Sequence, residues 1–414
     1  MLNKIKALPL AIKQYMVITA NYWAFTLTDG ALRMLVLLYF YQLGYSPLAL
    51  ALLFIFYEFF GVVTNLVGGW LGARIGLNKT MNAGLFIQVF ALLMLAIPSE
   101  YLSVAYIMTA QALSGIAKDL NKMSAKSTIK ILVADLAASG RQEALQGQLF
   151  KWVAILTGSK NTLKGIGFFL GGFLLTYLGF QGAMLLMASV LMIVALLSVL
   201  SLKTELGKAK YKPKFKQIFS TDASLNYLSA ARLCLFAARD VWFVIALPVY
   251  LASQLSWSHQ SIGVFFALWI ILYGLVQANA PALFAKKSAE AINGKLTGVW
   301  SGILALVTGL LLVSLTTDID PEVVLIIGLL AFGAVFAVNS SLHSYLIVDI
   351  AKDEAVSMDV GFYYMANALG RLLGTLLSGF LYQYYIDSGQ GLVVCIFTSV
   401  VLLLAATFFV RRVN

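Results

Sequence analysis

The sequence predicts an all-α membrane protein of twelve transmembrane helices, arranged as two pseudo-symmetric halves of six. Three observations predict it. Of the 414 residues, 61% are hydrophobic and 11% charged, against roughly 25% charged in a soluble domain. The mean hydropathy is +0.88, and runs near the roughly 20 apolar residues that cross a bilayer recur with short gaps. The polar residues that interrupt those runs repeat between the first and second halves of the chain. A secreted disulfide scaffold is excluded, because Cys234 and Cys395 are the only cysteines and both lie inside apolar runs.

In order, the expected spans are Tyr15 to Leu43, Leu48 to Gly72, Thr80 to Pro98, Leu102 to Ala125, Phe150 to Leu178 and Ala183 to Leu202. The second half gives Asn226 to Ala252, Ser261 to Ala285, Leu296 to Thr316, Glu322 to Val348, Val360 to Tyr384 and Gly391 to Val410. Lys4, Lys6 and Lys13 before the first run resemble the basic start of a signal peptide. The run that follows is too long for a signal core and lacks a small-residue cleavage site, so it reads as an uncleaved helix.

The loops orient the helices. One side collects Lys4, Lys6, Lys13, Arg74, Lys79, Lys130, Arg141, six lysines from Lys203 to Lys216, Lys286, Lys287, Lys295, Lys352, Arg411 and Arg412. That is nineteen of the 29 basic residues. The other side carries Glu100, His259, Asp318, Asp320, Glu322 and Asp387, without Lys or Arg. Basic loops stay in the cytoplasm, so both termini are expected there, in a bacterial inner membrane. The Lys203–Lys216 stretch is the one long linker. It divides the chain into a bundle at 1–202, a basic cytoplasmic linker at 203–225 and a second bundle at 226–414. The net charge of +11 is spread over several loops rather than gathered in a groove, so no nucleic acid is expected as a partner.

The repeat is explicit. Lys164, Gly167, Gly172 and Phe173 recur 207 positions later as Arg371, Gly374, Gly379 and Phe380. Gly115, Asn121 and Asp135 recur 218 later as Gly333, Asn339 and Asp353. Asn21-Tyr22 and Arg33 have counterparts near Asn226-Tyr227 and Arg239. Duplicated six-helix halves imply a transporter with its site between them near the midplane.

Ten basic residues fall within the spans: Arg33, Lys118, Lys122, Lys126, Lys151, Lys160, Lys164, Arg232, Arg239 and Arg371. The acids there are Asp29, Glu58, Asp119 and Asp240, with Asp349 at an edge. Lys122, Lys126 and Lys151 lie near helix ends and can snorkel. Arg33, Lys164, Arg239 and Arg371 are central, and Lys118 nearly so. A buried cation costs roughly 2.5–3.5 kcal/mol on the insertion scale. Five together would approach a domain's whole net stability of roughly 5–15 kcal/mol. They must face water, partners or a ligand. Internal pairing is one reading: Asp29 with Arg33 at i,i+4 spacing, and Arg239 or Arg371 with Asp240 or Glu58. The bases outnumber the acids, however, and a basic cavity suits a polyvalent anion that guanidinium forks grip bidentately.

Lys118, Lys122, Lys126 and Lys130 form an i,i+4 stripe, as do Lys160 and Lys164. Such a stripe suits a ladder passing an anion from the midplane to the cytoplasm, although its lower half also reads as a solvated helix end. The candidate substrate-binding residues are Arg33, Lys118, Lys122, Lys164, Arg239 and Arg371, with Asn121, Asn161 and Asn339 as hydrogen-bonding candidates. Asp29, Glu58, Asp119 and Asp240 are candidates for proton coupling or charge pairing. Asn21, Gln111 and Asn367 are further lining candidates, against a role in helix packing, and His343 is a candidate proton relay. No enzyme, metal site or cofactor is expected. Two histidines and two distant cysteines make no metal site, and neither a phosphate loop nor a nucleophile elbow is present.

The layout resembles the major facilitator superfamily. Gly69-Trp70-Leu71-Gly72-Ala73-Arg74-Ile75-Gly76-Leu77-Asn78-Lys79 is similar to its loop signature, with Ala73 in place of the usual acid and Leu77 in place of a base. That departure weakens the acid-to-helix gating contact which the signature implies. Gly167-Phe168-Phe169-Leu170-Gly171-Gly172 resembles the fifth-helix glycine motif of exporters, with Phe where Pro is usual. The stretch from Asn21 through Asp29 to Arg33 resembles the first helix of ArsJ-type organoarsenical efflux transporters. So do Ser114 to Lys126, Thr157 to Asn161 and Ala238 to Phe243.

The resemblance implies export of 1-arseno-3-phosphoglycerate for arsenate resistance. It also implies a functional link to a glyceraldehyde-3-phosphate dehydrogenase that makes this ester; separately, a monomer is expected. The missing thiols agree, since a pentavalent oxyanion needs no soft ligands. An organophosphate importer or phosphate exchanger stays open, as does a transporter-fold anion receptor. Broad drug efflux fits poorly with so basic a centre.

Overall fold

A computed structural model of the chain describes residues 10–44, 53, 55–138, 145–202, 219–257, 259–284, 292–351, 356–385 and 388–413. The linker lysines from Lys203 to Lys216 lie outside the described residues. So do Lys4, Lys6, Arg141, Lys286, Lys287, Lys352, Asp353, Asp387 and the side chains of Lys130, Asp135, Lys151 and His259.

Helices account for nearly all that is described. They are α1 (Leu10–Gln42), α2 (Ile55–Ile75), α3 (Leu77–Leu95) and α4 (Val104–Ala138), then a continuous stretch, Leu145–Ser201, that holds α5 and α6. There follow α7 (Ala223–Phe243), α8 (His259–Asn279), α9 (Gly294–Ser314), α10 (Pro321–Ile350), α11 (Val356–Tyr384) and α12 (Gly391–Val410). Gly179, at φ 65°, turns the chain between α5 (145–178) and α6 (180–201). A residue with a Cβ resists that conformation.

Side-chain caps start several helices. Asp222 accepts from the Leu225 N–H at 2.9 Å, Asn293 from Leu296 at 3.1 Å and Asp320 from Glu322 at 2.8 Å, with Pro321 in the first helical position. After α7 the chain breaks and resumes as a short helix, Ala246–Ser253, whose first N–H donates to Ser378 Oγ at 3.1 Å. That bond satisfies a backbone group which hydrocarbon could not. By length and hydropathy alone, seven of the described stretches qualify as membrane spans. α4 is not among them; Lys118, Asp119, Lys122 and Lys126 interrupt it.

Packing makes the repeat physical. α1 lies along α5 and α7 along α11, equivalent pairs within the two halves. Across the halves α2 meets α11 and α5 meets α8, again an equivalent pair of contacts. Gly167 and Gly374, which are repeat partners, do the same work. A Cβ on Gly167 would lie 2.6 Å from the Leu27 carbonyl of α1, and one on Gly374 would lie 2.8 Å from the Ala237 carbonyl of α7. Gly171 likewise abuts the Ala31 carbonyl of α1, so the exporter-like glycine motif serves helix contact here. Asn21 and Asn226 do not correspond: Asn21 is buried and donates to Ser198 Oγ at 2.7 Å, whereas Asn226 is exposed.

The apolar core shows which side is shut. On the side where α1 begins and α12 ends, one cluster joins the halves: Ile18, Tyr22, Met123, Ile129 and Val153 pack with Leu228, Leu342, Leu346, Val360 and Val413. On the opposite side each half keeps its own core, Phe25 to Ala195 in the first and Cys234 to Ala406 in the second. Around the outside, Phe90, Phe173, Leu306 and Phe380 are each more than half exposed, as lipid-facing residues must be.

The closed side depends on two bare backbones. A Cβ on Gly69 would lie 2.4 Å from the Ser357 carbonyl, and one on Gly361 2.6 Å from the Asn65 carbonyl. The α2–α11 closure is thus glycine on glycine, and Ala73, which stands where the loop signature has an acid, is simply buried. Gly361→Val should force this side open. Labelling of a Ser357→Cys reporter by a membrane-impermeant thiol reagent from the terminus side should rise at least about tenfold, for a shift of roughly 1.4 kcal/mol. Unchanged labelling would mean that the closure lies elsewhere.

Candidate functional site

The mid-span polar residues come from α1, α2, α4, α5, α7, α10 and α11, and glycines let their helices approach. A Cβ on Gly61 of α2 would lie 2.7 Å from Asp119 Oδ2, and one on Gly115 of α4 would lie 2.5 Å from the Tyr57 carbonyl. α2 and α4 are therefore pressed together where Tyr57, Glu58, Lys118 and Asp119 sit. Gly30 and Gly167 do the same for α1 and α5, placing Arg33 near Lys164.

A chain of ion pairs crosses the site. Arg33 Nη2 donates to Glu58 Oε1 at 3.0 Å, and Arg371 Nη2 donates very closely to the same oxygen. Arg371 Nε reaches Asp240 Oδ2 at 3.4 Å, and Arg239 Nη2 holds Asp240 Oδ1 at 2.6 Å. Glu58 belongs to the first half and Arg371 to the second, so this pair ties the halves together at mid-span. The side chains of Arg33, Glu58, Arg239 and Arg371 keep 16–23% of their surface accessible, although each is held among partners. They border a gap between the helices rather than a sealed core.

Beside this network runs the lysine ladder. Lys118 Nζ lies 3.5 Å from Asp119 Oδ2, and Lys122 Nζ lies 2.5 Å from Asp119 Oδ1. Two aromatic rings brace the cations. Tyr57 has Lys118 Nζ 3.8 Å and Arg33 Cζ 4.0 Å from its ring centre, and its hydroxyl donates to Asp29 Oδ1 at 2.7 Å. Tyr364 has Lys122 Nζ at 4.7 Å and Lys126 Nζ at 5.2 Å. Arg239 is ringed by Phe236, Phe243 and Phe336 at 4.9–5.7 Å. Desolvated cation–π contacts of this kind contribute about 2 kcal/mol each. Tyr57→Ala should therefore weaken anion binding by at least about 100-fold, whereas Tyr57→Phe, which keeps the ring, should change it only a few-fold. Equal losses in the two, read from phosphate-ester dissociation constants, would assign the effect to the hydroxyl.

Set against the expected residues, the placement is mixed. Arg33, Lys118, Lys122, Lys164, Arg239 and Arg371 converge with Asp29, Glu58, Asp119 and Asp240. The expected i,i+4 pair is not made: Asp29 is taken by Tyr57, and Arg33 reaches across to Glu58. Two of the three asparagines belong to helix packing. Asn339 is held by Ser301 Oγ at 2.8 Å and the Trp300 carbonyl at 2.8 Å, between α9 and α10. Asn121 donates to the Ala117 carbonyl within α4 and presses on Gly84 of α3, the equivalent place in the other half. Asn161 donates to Gln277 Oε1 at 2.6 Å and bridges α5 to α8 across the halves.

Sequence reasoning passed over Tyr57 and Tyr364. Their signals were adjacency to Glu58 and the seven-residue, two-turn spacing from Tyr364 to Arg371 on one helix face. Counted over the described site, nine cations (Arg33, Lys118, Lys122, Lys126, Lys160, Lys164, Arg232, Arg239 and Arg371) face four carboxylates.

A pseudo-symmetric twelve-helix bundle with a charged centre defines a secondary transporter. The sequence matches the Major Facilitator Superfamily model over residues 16–344 and 228–414, and the chain belongs to that family. A comparison with curated proteins found no match. In fold the chain is similar to a bacterial homologue of the iron transporter ferroportin in its outward-facing state. That match has 12% identity and a TM-score of 0.73, and covers 98% of this chain and 99% of that one. It is similar also to the human organic anion transporter MFSD10 (TETRAN), at 18% identity and TM-score 0.71, over 97% and 100% of the two chains.

Proposed function

We propose that this transporter exports an organic oxyanion by alternating access, and that the substrate is 1-arseno-3-phosphoglycerate, removed to give arsenate resistance. The terminus side is then the cytoplasm of a bacterial inner membrane, as the basic loops require. A glyceraldehyde-3-phosphate dehydrogenase supplies the ester there, and the transporter works as a monomer because both halves of its gate lie in one chain. The observation that carries the reading is the surplus of cations around Glu58, where Arg33 and Arg371 converge on one carboxylate oxygen. The resemblance of the polar helix segments supports the arsenic ester, and a likeness in fold to an organic anion transporter agrees with the charge.

The mechanism follows from competition. Glu58 acts as a tethered anion that holds Arg33 and Arg371 while no substrate is bound. An oxyanion head offers several oxygens in the geometry of a guanidinium fork, so it displaces Glu58 from Arg371 and loosens the tie between the halves. Once the oxyanion has neutralised those guanidiniums, the freed carboxylate can take up a proton, and Asp29 and Asp240 are further candidates for that role. Arg239, Lys164 and Lys118 hold the head, and Lys122 with Asp119 carries it along the ladder.

Expression in an arsenate-sensitive bacterium tests the reading. Resistance should rise, with arsenic appearing in the medium, only when the dehydrogenase is co-expressed. Resistance without the dehydrogenase, or energised uptake of glycerol 3-phosphate in its place, would remove the assignment.

A further inference from the structure

Toward the closed side of the central network lies a second group of cations that the ion-pair chain does not reach. Arg232 of α7 is buried, donating from Nε to Asn367 Oδ1 at 2.8 Å and from Nη1 to Ser340 Oγ at 3.3 Å. Its Nη2 group donates to no residue, and no carboxylate pairs with it among the described residues. Lys160 of α5 makes no ion pair among the described residues, and it lies in electrostatic range of Lys122, Arg371, Lys118 and Asp119. Lys126 lies within electrostatic range of Arg232, Lys160 and Lys122. Two adjacent rings link these groups: Arg232 Cζ lies 5.4 Å from the Tyr363 ring centre, Lys122 and Lys126 Nζ lie 4.7 and 5.2 Å from that of Tyr364, and the two rings are 5.0 Å apart.

Two polar residues adjoin these rings: the Tyr363 hydroxyl donates to the His343 carbonyl at 3.1 Å, and Tyr22 packs in the same cluster as Tyr363 and Tyr364. His343 of α10 is fully buried, neither of its ring nitrogens has a hydrogen-bond partner, and it lies in range of Arg232. The Tyr22 hydroxyl of α1, 1% exposed, is likewise without a partner and lies in range of Tyr364 and Asp119. Orphaned buried donors, and buried cations such as Arg232 and Lys160 that make no ion pair among the described residues, are each costly. One anion between them would satisfy both. Immediately beyond, the apolar cluster that joins the halves, with Ile129, Val153, Leu342 and Val360, closes the place off.

We propose that Arg232, Lys160 and Lys122, with Tyr22 and His343, form a second seat for a phosphate-type oxyanion, occluded in this conformation. It rests on the reading above, which it deepens: the substrate has two oxyanion heads, and the seats around Arg371 and around Arg232 take one each. Helix α11 sets the scale: Asn367, which holds Arg232, and Arg371 are one i,i+4 step apart, about 6 Å along the helix, a separation that a three-carbon chain bridges. The second seat is also the first that an anion meets when the glycine-lined closure opens, so it loads the transporter from the terminus side.

The test uses the purified full-length protein in lipid nanodiscs with two stable probes, 3-phosphoglycerate with one phosphate and 2,3-bisphosphoglycerate with two. The wild type should bind the bisphosphate at least about tenfold more tightly. In Arg232→Gln and in Lys160→Gln the ratio of the two dissociation constants should fall to about 1–2, and Lys160→Arg should recover most of it. A wild-type ratio near 1 would overturn the proposal, and so would a ratio that survives both glutamine variants. Arsenic export has no part in this readout. A two-headed preference lost in the variants, with no arsenic exported by cells, would leave the seat standing and remove the arsenate ester.

Discussion

Arg371→Gln should reduce arsenic accumulation in everted membrane vesicles by at least about 100-fold, with the same amount of protein in the membrane. Among the described residues, Arg371 is the one side chain that pairs with carboxylates of both halves, Glu58 on α2 and Asp240 on α7. Removing one partner from a buried, hydrogen-bonded charge pair costs 2–5 kcal/mol or more. With 1.36 kcal/mol per tenfold in rate, the middle of that range gives the expected loss. The variant removes a substrate ligand and the tie between the halves together. Arg371→Lys keeps the charge but loses the planar fork, so it should fall between the two. Full transport by Arg371→Gln would show that anion recognition lies elsewhere.

Glu58→Gln is expected to have the opposite effect on binding and the same effect on turnover. If Glu58 is the internal competitor for Arg33 and Arg371, its neutralisation leaves both guanidiniums to the substrate. The dissociation constant for 3-phosphoglycerate should then fall at least about tenfold, while vesicle uptake falls by a similar factor because the bound anion is no longer displaced. Interactions that favour the bound ground state do not speed transport. A weaker or unchanged dissociation constant would make Glu58 an ordinary counter-ion that holds the bundle together.

The sequence disclosed the architecture well because hydrocarbon imposes strong rules. Hydropathy, loop charge and the 207- and 218-residue offsets predict twelve helices in two halves, and the offsets reappear as Gly167 and Gly374 docking on equivalent helices. The glycines at 61, 69, 115 and 361 were not legible as contacts. A glycine's partner is another helix, and one sequence does not say which helix packs on which. The cations of the site were visible by type, since charge within a span is costly and must have a reason. Their partners were not. Arg33 prefers Glu58, on the next helix, to Asp29 one turn away, a choice made by the Gly61–Asp119 approach and by Tyr57 capturing Asp29. Asn121 and Asn339 resembled lining residues because an amide in a span can serve a ligand or a neighbouring helix; here the neighbour is α3 or α9.

The most direct measurement supplies arsenate to everted vesicles containing the protein, with and without glyceraldehyde-3-phosphate dehydrogenase, its triose phosphate substrate and nicotinamide cofactor, and then counts trapped arsenic. In such vesicles substrates on the cytoplasmic face enter by export. Accumulation only with the complete enzyme system, lost in Arg371→Gln, is the result expected if a basic ladder exports the arsenate ester. Accumulation of arsenate without the enzyme, or none with it, would contradict the account.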